Sequence, residues 1–217
     1  MKIHHLSDHN SALNHFLAEI RDVAVHGDRL RFRRNIERIG EVMAYEISKA
    51  LPYAAAEVTT PLGVKAVRRL RDPIVVCSIL RAGLPLHTGF LNVFDAADNG
   101  FISAYRHHPD GGADFEIRVE YQAVADLDGK TVLLVDPMLA TGQSLVAAYR
   151  RLMERGKPAA VHIAAVIAAP EGIAHLREHL PADCRLWVAA LDERLDARSY
   201  IVPGLGDAGD LAFGDKR

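Results

Sequence analysis

The sequence predicts an α/β protein with a mainly parallel central sheet flanked by helices, preceded by an N-terminal helical segment and carrying a flexible hairpin. Three observations predict it. From Pro73 onward, short apolar runs rich in β-branched residues alternate with runs of helical period, the pattern of a parallel sheet covered on both faces. Before that point the periodic stretches are helical. With 217 residues, 49% hydrophobic and 25% charged, the chain has the composition of one globular core. A single domain over 1–217 is therefore expected, with 1–70 as its helical portion and 71–217 as its ligand-binding core.

Each element has its own signal. Ser11 can cap a first helix in which Leu13, Phe16, Leu17 and Ile20 recur at three- and four-residue steps. After a turn at His26-Gly27-Asp28, Phe32, Ile36, Ile39, Met43 and Ile47 form the apolar stripe of a longer helix, with Arg33, Arg34, Glu37, Arg38 and Glu41 on its other faces. Ile74 to Leu80, Thr131 to Val135, Val161 to Ala168 and Leu186 to Leu191 read as buried strands, and Phe101 to Tyr105 as a weaker one. Helices are expected over Ser144 to Glu154 and Glu171 to Leu180. Gly111-Gly112 marks the tip of a flap within 106–114, and the tail from Ile201 is glycine-rich.

Composition also excludes function classes. A net charge of -2 and a pI near 6.6 leave no electrostatic footprint for wrapping a nucleic acid, so no nucleic-acid partner is expected. Cys77 and Cys184 lie in apolar runs without metal-ligand spacing, as buried thiols of a reducing compartment do. The first ten residues lack the pattern of a signal peptide. The longest apolar stretch, Ala159 to Pro170, is interrupted by His162 and is too short to span a bilayer. A cytoplasmic protein without a membrane partner is expected.

Three segments carry chemistry. In Val132 to Ser144 (VLLVDPMLATGQS) a buried strand ends in Asp136 and a small-residue turn opens a helix. Backbone N–H groups from Ala140 to Ser144 can surround a phosphate at the helix start. Thr141 and Ser144 add hydroxyls, and Gly142 permits close approach. Asp136 can accept from vicinal sugar hydroxyls. A bare T-G-x-S is more often a simple helix cap, with Asp136 merely ending a strand. The second segment, Ser78 to Gly83, delivers Arg81 from a strand into a turn, where its planar fork can grip a pyrophosphate, although a lone arginine is more often a surface ion-pair partner. The third, Tyr200 to Asp210 (YIVPGLGDAGD), is glycine-rich, and such a backbone suits a small flat heterocycle, although a mobile C-terminal tail has the same composition.

Taken whole, the run from Val132 to Ser144 resembles the phosphoribosyl diphosphate (PRPP) motif of the type I phosphoribosyltransferases. Asp136-Pro137 stands where most of that superfamily has two acids, and VDPMLATG resembles the uracil-specific branch. ILRAGL is similar to that branch's pyrophosphate loop, Tyr105-Arg106 to the pair before its flexible hairpin, and Tyr200 to Asp210 to its uracil loop. AAPEG at 168–172 and AALD at 189–192 add to the likeness, which covers Ile74 to Gly214. The sequence departs from the family at His107 to Gly112, where Glu-Thr-Leu-Glu-Pro is usual. The histidine pair there is expected to be solvated loop.

The resemblance implies a uracil phosphoribosyltransferase activity, joining uracil to PRPP with release of pyrophosphate. Arg81, Asp136 and Asp207 are its candidate catalytic residues. PRPP contacts are implied for Arg81, Arg106, Asp136, Pro137, Met138, Leu139, Ala140, Thr141, Gly142, Gln143 and Ser144. Base contacts are implied for Ile201, Gly206, Asp207 and Ala208. Mg²⁺ is expected on PRPP and water, with no direct protein ligand, and a homodimer or larger homo-oligomer by analogy. A phosphoribosyltransferase for another base, a non-catalytic nucleotide sensor and an RNA-binding pyrimidine regulator of the same fold are the alternatives.

Overall fold

In the computed structural model the backbone is described for residues 1–107 and 116–215, and side chains outside 104–119. In chain order the elements are β1 (Lys2–His5), a 3-10 turn (Leu6–Asp8), α1 (Leu13–Arg21), α2 (Arg29–Ser48), β2 (Tyr53–Thr60), β3 (Gly63–Leu70), β4 (Ile74–Leu80), α3 (Gly83–Leu91), β5 (Asp98–His107), β6 (Glu116–Ala123), β7 (Thr131–Val135), β8 (Met138–Leu139), α4 (Gln143–Met153), β9 (Ala160–Ala168), α5 (Pro170–His179), β10 (Arg185–Leu191), β11 (Arg194–Leu195), β12 (Ile201–Val202) and α6 (Ala208–Phe213).

The main sheet runs β1-β10-β9-β7-β4-β5-β6, with β8 paired to β9. Every pairing along it is parallel except β5 with β6. Side chains alternate across a strand, and both faces are buried. Val76, Leu133, Val135, Ala164 and Val166 belong to the core that includes α1, α2 and α3. Their neighbours Val75, Cys77, Val132, Leu134 and Ala165 belong to the core that includes α4 and α5. Strands that are apolar toward both faces, interrupted only by buried Ser78, Thr131 and His162 in β4, β7 and β9, follow directly from this three-layer arrangement. Burial pushes the Cys77 thiol up to about 12 and is the main cause raising Cys184 to about 11, so neither is a ready nucleophile.

The predicted helices form with their apolar residues inward. Ser11 Oγ accepts from the Leu13 backbone N–H at 3.2 Å, and Asp28 caps α2 by accepting from Leu30 and Arg31. The expectation of a helical 1–70 needs correction. The segment begins with edge strand β1 and ends with the antiparallel hairpin β2–β3, in register from Tyr53–Leu70 to Thr60–Gly63. Neither shows an apolar face, because β1 lies at the sheet edge and the hairpin is exposed along most of its length. α3 is also unannounced. Its sequence, GLPLHTGFL, combines poor helix formers, and burial of Leu86 and Phe90 against the core with α2 compensates.

One buried polar group makes stability depend on pH. Trp187 Nε1 donates to His162 Nδ1 at 3.1 Å, and His4 stacks on the other side of the contact at 3.8 Å from the indole. Burial, with Arg185 and His4 nearby, lowers His162 to about 4. The unfolded chain, with histidine near 6.5, therefore takes up a proton first as pH falls, and stability is lost between about 6.5 and 4. Relative to His162→Gln, which keeps an acceptor for the indole, the wild type should lose about 3 kcal/mol across that window. Urea unfolding of both proteins at pH 7 and 4.5 measures this. A constant difference would contradict it.

Candidate active site

A cavity of about 720 Å³ opens where β4 and β7 end, between the turn before α4, the start of α3 and the C-terminal segment. Ligands of open parallel sheets gather at this edge. Asp136 directly follows β7. Its backbone N–H donates to the Ala164 carbonyl at 3.1 Å, and its carboxylate accepts from the Met138 backbone. Desolvation outweighs that bond and pushes the carboxyl up to about 7. An acid held in this state gains from donors or positive charge arriving with a ligand.

The turn after Asp136 is shaped by two glycines. Gly142 is the N-cap of α4 with φ 80°, and no side chain caps the helix there. A Cβ on Gly142 would lie 2.9 Å from the Gly172 carbonyl oxygen, and one on Gly172 would collide with the Ala140 carbonyl oxygen. Loop 139–142 thus packs backbone to backbone on the first turn of α5, with Met138, Ala140, Thr141, Gly142 and Ser144 facing the cavity. The helix start and the hydroxyls of Thr141 and Ser144 together suit a phosphate.

Arg81 lies after β4, where the Leu80–Arg81 peptide is cis. Its Nη2 donates to Asp210 Oδ1 at 3.1 Å and to the Gly214 carbonyl at 3.2 Å. The guanidinium is part-exposed, lines the cavity and joins the β4–α3 loop to α6. Gly206, Asp207 and Ala208 line the same cavity, and a Cβ on the following Gly209 would lie 4.0 Å from Arg81 Nη2. Asp207 also caps α6, accepting from the Asp210 N–H at 3.0 Å.

The remaining predicted residues lie elsewhere. Leu139 and Ile201 are buried in the core. Pro137 turns its carbonyl to the N–H groups of Val166 and Ile167 at 3.1 and 3.0 Å, and Gln143 is exposed. The backbone of Arg106 pairs with β6 at Ile117, while its side chain and the altered flap tip at 108–112 lie outside the described residues. The arms of the expected hairpin are β5 and β6.

Sequence reasoning overlooked several groups that build the site. Ser103 and Ser199 line the cavity. Arg21 of α1 donates through both terminal nitrogens to Asp192, at 2.9 and 2.7 Å, and to the Gly204 carbonyl at 3.0 Å. Gly204 N–H in turn donates to Asp192 at 3.1 Å. Arg33 of α2 donates to the Ala212 carbonyl at 2.7 Å. The N-terminal helices therefore hold the C-terminal wall in place. Only the AALD motif hinted at this.

A parallel sheet that gathers a helix start with two hydroxyls, a guanidinium and a desolvated carboxyl at the edge where its strands end has the donor set of a binder of phosphorylated sugars. The sequence profile described as uracil phosphoribosyltransferase matches residues 6–215, and the chain belongs to that family. A curated uracil phosphoribosyltransferase of Porphyromonas gingivalis is 50% identical over 216 residues, covering 100% of each chain. One from Shouchella clausii is 38% identical, covering 98% of each. A solved protein structure from Aquifex aeolicus superposes with a TM-score of 0.87 at 32% identity, covering 98% of each chain.

Proposed function

We propose that the protein transfers the 5-phosphoribosyl group of PRPP to N1 of uracil. The N1–C1′ bond forms, the bond from C1′ to pyrophosphate breaks, and the N1 proton is released. The convergence of the Ala140–Ser144 turn, Arg81 and Gly206–Ala208 on one cavity carries this reading. In it, the turn binds the 5-phosphate, Asp136 accepts from the ribose hydroxyls, and Arg81 exchanges Asp210 for the departing pyrophosphate. The backbone at Gly206 and Ala208 pairs with uracil, and Asp207 is the candidate acceptor of its proton. Positive charge develops on the sugar ring, so catalysis consists mainly of orientation and electrostatic stabilisation.

Mg²⁺ fits this cavity, because Asp136 and Asp207 are hard oxygen donors suited to its outer water shell. When bound with PRPP it offsets the charge of the leaving pyrophosphate. The protein mixed with PRPP, Mg²⁺ and labelled uracil is expected to form uridine 5′-monophosphate and pyrophosphate, with cytosine, hypoxanthine and xanthine inert. Absence of product over a range of conditions, or preference for another of these bases, would overturn the assignment.

The reading also includes a homodimer or larger assembly in the cytoplasm, without nucleic acid. Free, buried cysteines suit a reducing compartment. Among the described residues, no helix is long and apolar enough to cross a membrane. The hairpin β2–β3 supports assembly: Leu62 is 99% and Val64 66% exposed, and an isolated two-stranded hairpin is marginal in water. Light scattering should give at least twice the 23.8 kDa chain mass, and Leu62→Asp with Val64→Asp should shift the protein toward monomer. A monomeric wild type would sink this part.

A further inference from the structure

The last turn of α5 carries His175, Glu178 and His179, at i, i+3 and i+4, hence on one helical face. One ligand atom from each lies within 4.8 Å of the others. We propose that these three side chains bind a divalent transition-metal ion such as Zn²⁺, at a site distinct from the substrate cavity.

Proximity is not the only support. His179 Nδ1 lies 3.0 Å from the His175 carbonyl oxygen. A ring nitrogen facing a carbonyl must donate, so Nδ1 carries the proton and Nε2 keeps its lone pair. This is the outer hydrogen bond that orients metal-binding histidines. His175 is positioned by different means. Its Cδ2 lies 3.3 Å from the point a Cβ on Gly142 would occupy, so its ring is seated against the start of α4. The two rings are 4.0 Å apart between centroids.

The donor set selects the ion. Two imidazoles and a carboxylate, with positions left for water, suit Zn²⁺, Ni²⁺ or Cu²⁺, whereas Mg²⁺ and Ca²⁺ prefer oxygen donors throughout. Residues 175–179 read H-x-x-E-H, an order found in one class of zinc hydrolases. Here Glu178 and His179 are exposed, and no fourth protein ligand joins the group among the described residues. The site therefore binds an ion without the enclosed substrate groove that hydrolysis needs.

The full chain, without a histidine tag and free of PRPP and Mg²⁺, tests the proposal. Zn²⁺ competition against a chromophoric chelator, together with Co²⁺ absorption, should report one ion per chain at this site. His179→Ala should weaken it at least tenfold and Glu178→Gln by a smaller factor, while UMP formation without added transition metal stays unchanged in His179→Ala. A wild type that binds no Zn²⁺ would overturn the proposal. So would an affinity unaltered by His179→Ala but lost on replacing His4, His5 and His9 of the histidine-rich N-terminal segment.

Discussion

Gly172→Ala is expected to raise the KM for PRPP at least tenfold and to destabilise the fold by about 2–4 kcal/mol, although residue 172 does not line the cavity. The new methyl group would strike the Ala140 carbonyl oxygen and lie 3.0 Å from that of Leu139 and 2.9 Å from Leu139 Cδ1. Two of these neighbours are main-chain atoms that cannot rotate away, so relief requires loop 139–142 to lift from α5. That loop presents the N–H groups proposed to hold the 5-phosphate, and misplacement by an ångström is costly for oriented binding. Gly27→Ala supplies a control, since a Cβ there meets nothing within 4 Å. PRPP titration and urea unfolding of both variants measure the effect. Unchanged PRPP binding in Gly172→Ala would mean that the turn tolerates displacement.

This example marks the limit of what the sequence discloses. The run Val132 to Ser144 was legible because strand, acid, turn and helix are contiguous, so each group's neighbours in space are also its neighbours along the chain. The apolar stripes of α1, α2 and α4 were legible by the same local logic. Gly172 entered only as part of a familiar motif, and its contact with Ala140 depends on how β9 and α5 fold back on the turn. The Arg21 to Asp192 and Gly204 contacts span 171 and 183 residues, and Arg81 to Asp210 spans 129. No local pattern encodes such pairs. β1 failed for a related reason: the polar sequence KIHH becomes a strand only because Arg185 to Val188 offers it an edge.

At pH 8, Asp136→Asn is expected to make the ligand-free protein more stable by about 1–3 kcal/mol while lowering kcat/KM roughly 10²- to 10³-fold. Desolvation raises the folded-state value of Asp136 to about 7 from 3.8, against the opposing Met138 N–H bond. Between those values the folded state holds a proton that the unfolded chain has released. Stability therefore falls as pH rises through the window, and above pH 7 the full cost of the buried carboxylate is present. Asparagine removes that cost, so its advantage should shrink toward zero as pH falls toward 4. Water in the cavity that Asp136 faces partly solvates the carboxylate and keeps the gain modest. Urea unfolding at pH 5 and 8, with the uracil assay alongside, separates the two effects. A wild type at least as stable as Asp136→Asn at pH 8 would show that the carboxylate is already compensated. The cost is intelligible if PRPP relieves it, because vicinal sugar hydroxyls can donate to the Asp136 carboxylate. Binding energy then goes partly into meeting a need that folding created, and ligand-induced stabilisation should be smaller in the asparagine variant than in the wild type.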